Sequence, residues 1–243
     1  MRVRLLATTL LLLAAGASAA RAEPGEDVRA AIDKLAQARS FAWTATYQHR
    51  SGSEAEEGVE EKGGYAVSSK TFDLTSGASH IELVRQGSKA VVNFGQGWQT
   101  FDEAVNAAGG GPRGRARATL VEMMRNDKPF ATFARELLDH TKDLRKVGDA
   151  YEGTMSEAGA KAMLEAASSR VRVNRVRGSA RFGVKDGVLS AVAFRLEASL
   201  NLDGREHAVN STAAAEVKDV GTAKARVPDE ARQKLAAQQD LPF

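Results

Sequence analysis

The chain has 243 residues, 43% of them hydrophobic, with 34 Lys and Arg against 31 Asp and Glu and no cysteine. That length suits one domain, and the missing cysteine excludes disulfides and a lipid-modified N-terminal cysteine. Residues 1–22 hold all of the excess charge, in Arg2, Arg4 and Arg21; without them 31 bases face 31 acids, so the net basic field that nucleic acid binding needs is missing and no nucleic acid partner is expected.

Residues 1–22 read as a cleavable secretory signal. Arg2 and Arg4 precede an apolar run from Leu5 to Ala15, and Ala20-Arg21-Ala22 is a small-x-small cleavage site, with Ala17-Ser18-Ala19 as a second choice. The run is short of the ~20 apolar residues a membrane span needs. Residues 23–243 are therefore expected to work as a single exported, periplasmic domain without a lipid anchor.

Asp27 can cap a helix to Ala38, with Val28, Ala31, Ile32 and Leu35 on one face. Phe41, Trp43, Ala45 and Tyr47 alternate with smaller or polar residues and predict a first strand. Ser51–Gly58 reads as an acidic turn, and Val59–Val67 as a second strand with a bulge at Gly63-Gly64. Thr71–Leu74, His80–Arg85, Ala90–Phe94 and Trp98–Phe101 continue the strands.

Ala107–Arg117 is Gly-rich and basic and reads as a loop. Two short helices follow: Thr119–Arg125, presenting Leu120, Met123 and Met124, and one opened by Pro129 that presents Phe130, Phe133, Leu137 and Leu138. Leu144–Glu152 is a candidate strand, Ser156–Ala166 a helix, and 168–178 a strand with an arginine-bearing solvent face. Ser179–Lys185, Val188–Leu200 and Arg205–Val217 form a meander, turned at Asp186-Gly187 and Asp203-Gly204. Along its middle strand Val192, Phe194 and Leu196 share one apolar face. Pro228–Gln239 closes the chain as a polar helix.

Signals for catalysis are missing. His49, His80, His140 and His207 have no helical pairing, so a metal site would need ligands gathered from afar, and neither a metal nor a cofactor is expected. No GxSxG elbow occurs. Gly109–Gly114 lacks the GK[ST] ending of a P-loop, and Pro112 removes a backbone donor. The acidic run Glu54, Glu56, Glu57, Glu60, Glu61 lacks EF-hand order and reads as a solvated turn. What remains is apolar: Trp43, Tyr47, Tyr65, Leu83, Trp98, Val192, Phe194 and Leu196 on strands, with Met123, Met124, Phe130 and Phe133 on helices. These form either an ordinary core or the lining of a greasy cavity.

The order of elements resembles the periplasmic lipoprotein carriers of the LolA/LolB-like superfamily. The likeness rests on an amphipathic helix ending in Ala38-Arg39-Ser40, the Phe41–Tyr47 strand, Gly63-Gly64-Tyr65, Gly87-Ser88-Lys89-Ala90-Val91-Val92, the Lys185-Asp186-Gly187 meander and Val227-Pro228-Asp229-Glu230. It implies an α+β fold, a curved antiparallel sheet forming an incomplete barrel over short plugging helices. It also implies non-catalytic binding or carriage of a lipid or acylated lipoprotein by a monomer, with an envelope partner protein possible. The Arg-Pro pair of those carriers is replaced here by Val67-Ser68-Ser69-Lys70, so no lid residue is carried over. The expected wall is Trp43, Tyr47, Tyr65, Leu83, Trp98, Val192, Phe194 and Leu196, and the expected plug Met123, Phe130 and Phe133, around a water-shy interior. The alternative is an envelope scaffold or protein-interaction module with a filled core. A hydrolase would need two carboxylates converging in a cleft, which no spacing predicts.

Overall fold

The computed structural model describes residues 23–49, 52–74, 77–167, 172–202 and 205–238. The expected signal segment, the Asp203-Gly204 turn and the end of the last predicted helix lie outside these residues. The described elements are α1 (Pro24–Gln37), β1 (Ser40–His49), β2 (Gly52–Glu61), β3 (Ala66–Leu74), β4 (Gly77–Gln86), β5 (Lys89–Asn93), β6 (Trp98–Thr100), α2 (Phe101–Asn106), α3 (Gly111–Arg125), α4 (Phe130–Asp139), β7 (Thr141–Val147), β8 (Ala150–Met155), α5 (Glu157–Ala167), β9 (Arg172–Lys185), β10 (Val188–Leu202), β11 (Arg205–Lys218) and α6 (Asp229–Ala236).

The strands make one antiparallel sheet in the order β6-β5-β4-β3-β2-β1-β11-β10-β9-β8-β7. It does not close, since β6 and β7 remain edges; the α+β fold with an incomplete barrel over helices is the one expected. The predicted meander is β9-β10-β11. Asp186 and Gly187 both have positive φ (54° and 71°), the geometry a tight hairpin needs and the reason glycine suits its second position. An irregularity between Leu189 and Ala191 bends the long β10.

Three apolar clusters hold the sheet. The largest packs Val28, Ile32 and Leu35 of α1 and Ala134, Leu137 and Leu138 of α4 onto Phe41, Trp43, Phe182, Val192 and Leu196. A second joins Phe72, Ile81 and Val92 to Ala104, Val121 and Met124 of α2 and α3. A third places Ala231 and Leu235 of α6 against Val84, Val91 and Trp98. Neighbouring positions Leu83 and Val84 point to opposite faces, so α6 covers the outer face of β4–β6 while α3 covers the inner one.

Several predicted boundaries differ. Asp27 lies inside α1, whose N-cap is Glu23; the expected strand Val59–Val67 is split between β2 and β3; and, over the described residues, the expected strands 168–178 and Ser179–Lys185 are the single strand β9. The acidic turn Ser51–Gly58 is most of strand β2, and Gly63-Gly64 is the β2–β3 turn, not a bulge. Leu144–Glu152 spans two strands, β7 and β8, joined through Gly148 at φ 61°. The loop Ala107–Arg117 contains the start of α3. Helix α2 was not predicted; its capping box, with the Thr100 side chain on Glu103 N–H and the Glu103 side chain on Thr100 N–H, holds it in place.

Candidate functional site

The first two clusters leave a gap on the inner face, and there a half-enclosed cavity of roughly 1310 Å³ opens. Register explains its wall. Cross-strand partners share a face, so rows of side chains run across β1, β2, β3 and β4: Phe41–Glu60–Ala66–Arg85, Trp43–Gly58–Ser68–Leu83 and Ala45–Glu56–Lys70–Ile81. Tyr47–Glu54–Phe72–Ser79 is the next row. The wall opposite comes from α3 (Ala118, Thr119, Glu122, Met123), the corner Asn126–Pro129, α4 (Phe130, Phe133, Glu136, Leu137), His140 and α5 (Ala162, Met163).

The apolar part centres on Trp43. Its ring lies 6.0 Å from that of Phe130 at 28° and 6.1 Å from Phe41. It lies across β2 at Gly58, where a Cβ would stand 2.2 Å from the indole. Phe133 meets Phe194 at 6.1 Å.

The polar part ties the α3–α4 corner to the sheet. Lys70 Nζ sits 3.3 Å from Glu56 and 3.0 Å from Asp127. Arg85 donates to the Asp127 carbonyl at 2.7 Å and to the Met124 carbonyl, which also accepts the Asp127 N–H at the end of α3. Glu60 accepts the Phe130 N–H at 3.0 Å, a cap for α4 that Pro129 does not provide.

Titration follows from this burial. Burial, with Asp127 and Glu54 adding to it and Lys70 opposing, pushes Glu56 up to about 7. Burial raises Glu60 as well, against the pull of the Phe130 N–H. For Lys70, burial lowers the ammonium but Glu56 and Asp127 together outweigh it, so its pKa rises. Burial and then Glu56 hold the Tyr47 phenol well above its ordinary value, as a neutral hydroxyl.

No family model matches the sequence, and no curated protein matches it. Three solved structures are similar in arrangement. Rv2717c from M. tuberculosis shares 10% identity, covering 78% of this chain and 98% of that one at a TM-score of 0.25. A DUF1329 family protein from Desulfovibrio piger shares 12%, covering 82% and 93%, TM-score 0.29. NE2245 from Nitrosomonas europaea shares 9%, covering 84% and 94%, TM-score 0.29. NE2245 is a LolA superfamily protein.

Of the expected lining, Trp43, Tyr47, Leu83, Met123, Phe130 and Phe133 border the cavity. Met123 is 44% exposed, because α3 turns Val121 and Met124 inward instead. Five residues lie elsewhere. Val192 and Leu196 are buried in the main cluster beneath the helices, and Phe194 packs behind Phe133. Trp98 and Tyr65 belong to the α6 cluster on the outer face. The interior is also not uniformly water-shy. Glu56, Glu60, Arg85 and Asp127 line it, because a helix corner inside the bowl needs partners for its backbone. Reading the acidic run as a solvated turn hides Glu56 and Glu60; only their pairing with β3 across the Gly63-Gly64 turn points to them.

At the far end of the same face His49 Nδ1 and Ser211 Oγ share a 2.5 Å hydrogen bond, and His49 Nε2 lies 3.6 Å from Glu54, which raises the imidazole's pKa. Ser211 is only 6% exposed, and the trio ties β11, β1 and β2 together. Among the described residues no three His, Asp or Glu side chains gather to hold a metal ion, and no helix is long and apolar enough to cross a membrane.

Proposed function

We propose that this protein is a non-catalytic binder or carrier of an amphiphile, a lipid or the acyl part of a lipoprotein, working as a periplasmic monomer. One observation carries the reading: an aromatic and aliphatic wall of Trp43, Leu83, Phe130, Phe133, Leu137 and Met163 around roughly 1310 Å³, above the ~300–1,000 Å³ of common small-molecule sites. Each buried methylene of a guest chain contributes about 0.8 kcal/mol before the costs of association. The basic, apolar and small-x-small pattern of residues 1–22 supports export.

A carboxylate hydrolase has one observation in its favour, the convergence of Glu56 from the sheet and Asp127 from the α3–α4 corner on Lys70. Lys70 is within ion-pair distance of both and Glu60 caps α4, so these groups already hold the fold together. The filled-core scaffold lacks support, because the bowl holds open space. Native mass spectrometry of protein taken from a periplasmic extract without detergent is expected to find a bound lipid, and a neutral naphthylamine probe is expected to fluoresce on binding. Lipid-free protein that leaves the probe dark overturns the proposal.

A further inference from the structure

We propose that the polar end of this cavity selects an amphiphile with a cationic head, an amine or quaternary ammonium, over one ending in carboxylate or phosphate. The inference rests on the binding role above and specifies its ligand.

The cations at this site are already engaged. Lys70 bonds Asp127 and pairs with Glu56, and Arg85 uses both terminal nitrogens on carbonyls at the end of α3. Lys128 gives 2.7 Å bonds to both oxygens of Glu136. An anionic head would have to compete with each of these partners, and every displaced carboxylate would be left beside it.

The anions exceed the cations by one carboxylate. Glu122 and Glu136 pair with Arg125 and Lys128, while Glu56 and Glu60 from the sheet and Asp127 from the α3–α4 corner share only Lys70 and Arg85. The side chain of Glu56 is just 9% exposed, so its ionised form is poorly solvated and gains from any added positive charge. Burial above all raises its pKa to about 7, against the pull of Lys70. The neighbouring rows bring Trp43 and Tyr47 beside the same carboxylate, with Phe130 stacked on Trp43. Aromatic faces next to buried carboxylates favour a cation by charge–quadrupole attraction. The acyl tail then lies along Phe130, Phe133 and Leu83.

The test holds the chain constant and varies the head. At pH 8, where myristate is ionised, tetradecyltrimethylammonium, monomyristoylglycerol and myristate compete, below their micelle concentrations, for the bound naphthylamine probe. The expected order is ammonium, then glyceride, then myristate, with at least about tenfold between the ends, or about 1.4 kcal/mol. In Glu56→Gln and Glu60→Gln that spread is expected to shrink several-fold. Because the head-group series on the unaltered protein decides the matter, a variant that fails to fold leaves the test intact. Myristate binding as well as or better than the ammonium overturns the head-group inference and leaves the apolar cavity standing. Failure of all three to displace the probe, or of the probe to bind, overturns the binding role as well.

Discussion

Adding one methyl group to Gly58 tests whether Trp43 shapes the cavity. An alanine Cβ there would lie 2.2 Å from Trp43 Cζ2 and 2.3 Å from Cη2, while ordinary contact begins near 3.4 Å. The indole must therefore move by more than an ångström. It cannot slide sideways cheaply, because Phe130 stacks on it and Phe41 flanks it. Overpacking of this kind costs about 1–3 kcal/mol, and the lost aromatic pairing about 0.5–1.5 more. Against this, Gly→Ala restricts the unfolded chain, worth about 0.4–1 kcal/mol in the other direction. The net expectation for Gly58→Ala is a loss of about 1–3 kcal/mol, read as a lower midpoint in urea. A changed tryptophan emission and weaker probe binding should accompany it, since the displaced indole enters the cavity. Gly25→Ala in α1, where nothing lies within 4 Å of the new methyl, is the control and should hold or gain stability. A Gly58→Ala protein with unchanged midpoint, emission and probe affinity refutes the packing account of this wall.

Three more outcomes follow from the polar corner. Glu56 has a folded pKa of about 7 against 4.5 unfolded, so between these values the native state holds the extra proton. Its contribution is therefore complete below pH 4.5 and is lost as pH rises through 7; up to roughly 3 kcal/mol is at stake. Glu56→Gln should flatten the decline in stability between pH 5 and 8, and parallel denaturation curves for the two proteins would contradict the assignment. Lys70→Met leaves Glu56 and Asp127 without their ammonium and should cost about 3–5 kcal/mol at pH 8; adding Glu56→Met should restore part of it, and a strictly additive double mutant would rule out coupling. Arg85→Ala should speed hydrogen exchange of the amides at Met124–Phe130 more than that of β10, while uniform acceleration would mean that Arg85 holds no particular corner.

What could be read from the sequence follows from whether a residue's inward neighbours were apolar. In α1 the stripe Val28, Ala31, Ile32, Leu35 is fully buried as its spacing implied, and β1 and β10 show their apolar parity inward. Strand β2 was illegible because its inward positions are Glu54, Glu56, Gly58 and Glu60, so neither parity reads as a buried face. One signal was available. With Gly63-Gly64 taken as a turn, counting back pairs Glu60 with Ala66 and Glu56 with Lys70, which places opposite charges face to face. The start of α3 was hidden by Gly111, Pro112 and Gly114, poor helix residues whose segment is held through Val121 and Met124 further along. Trp98 was misplaced because an aromatic on a strand announces burial but not which face; that depended on α6 packing from outside.

The acidic strand in a lipid-sized bowl follows from how the bowl is plugged. A helix presents only side chains to a sheet, so it can lie on an apolar face. A corner between two helices presents bare carbonyls and amides, and those cannot be buried without partners. The α3–α4 corner sits over β2–β4, and strand side chains bind three of its backbone groups: the Met124 and Asp127 carbonyls by Arg85, the Phe130 amide by Glu60. Once those charges are inside, Lys70 and Glu56 complete their neutralisation within one carboxylate. An apolar replacement of the whole set would remove the corner's anchors, and α4 would lose the fixed position from which Phe130 reaches Trp43. The charged end and the aromatic wall are thus one construction.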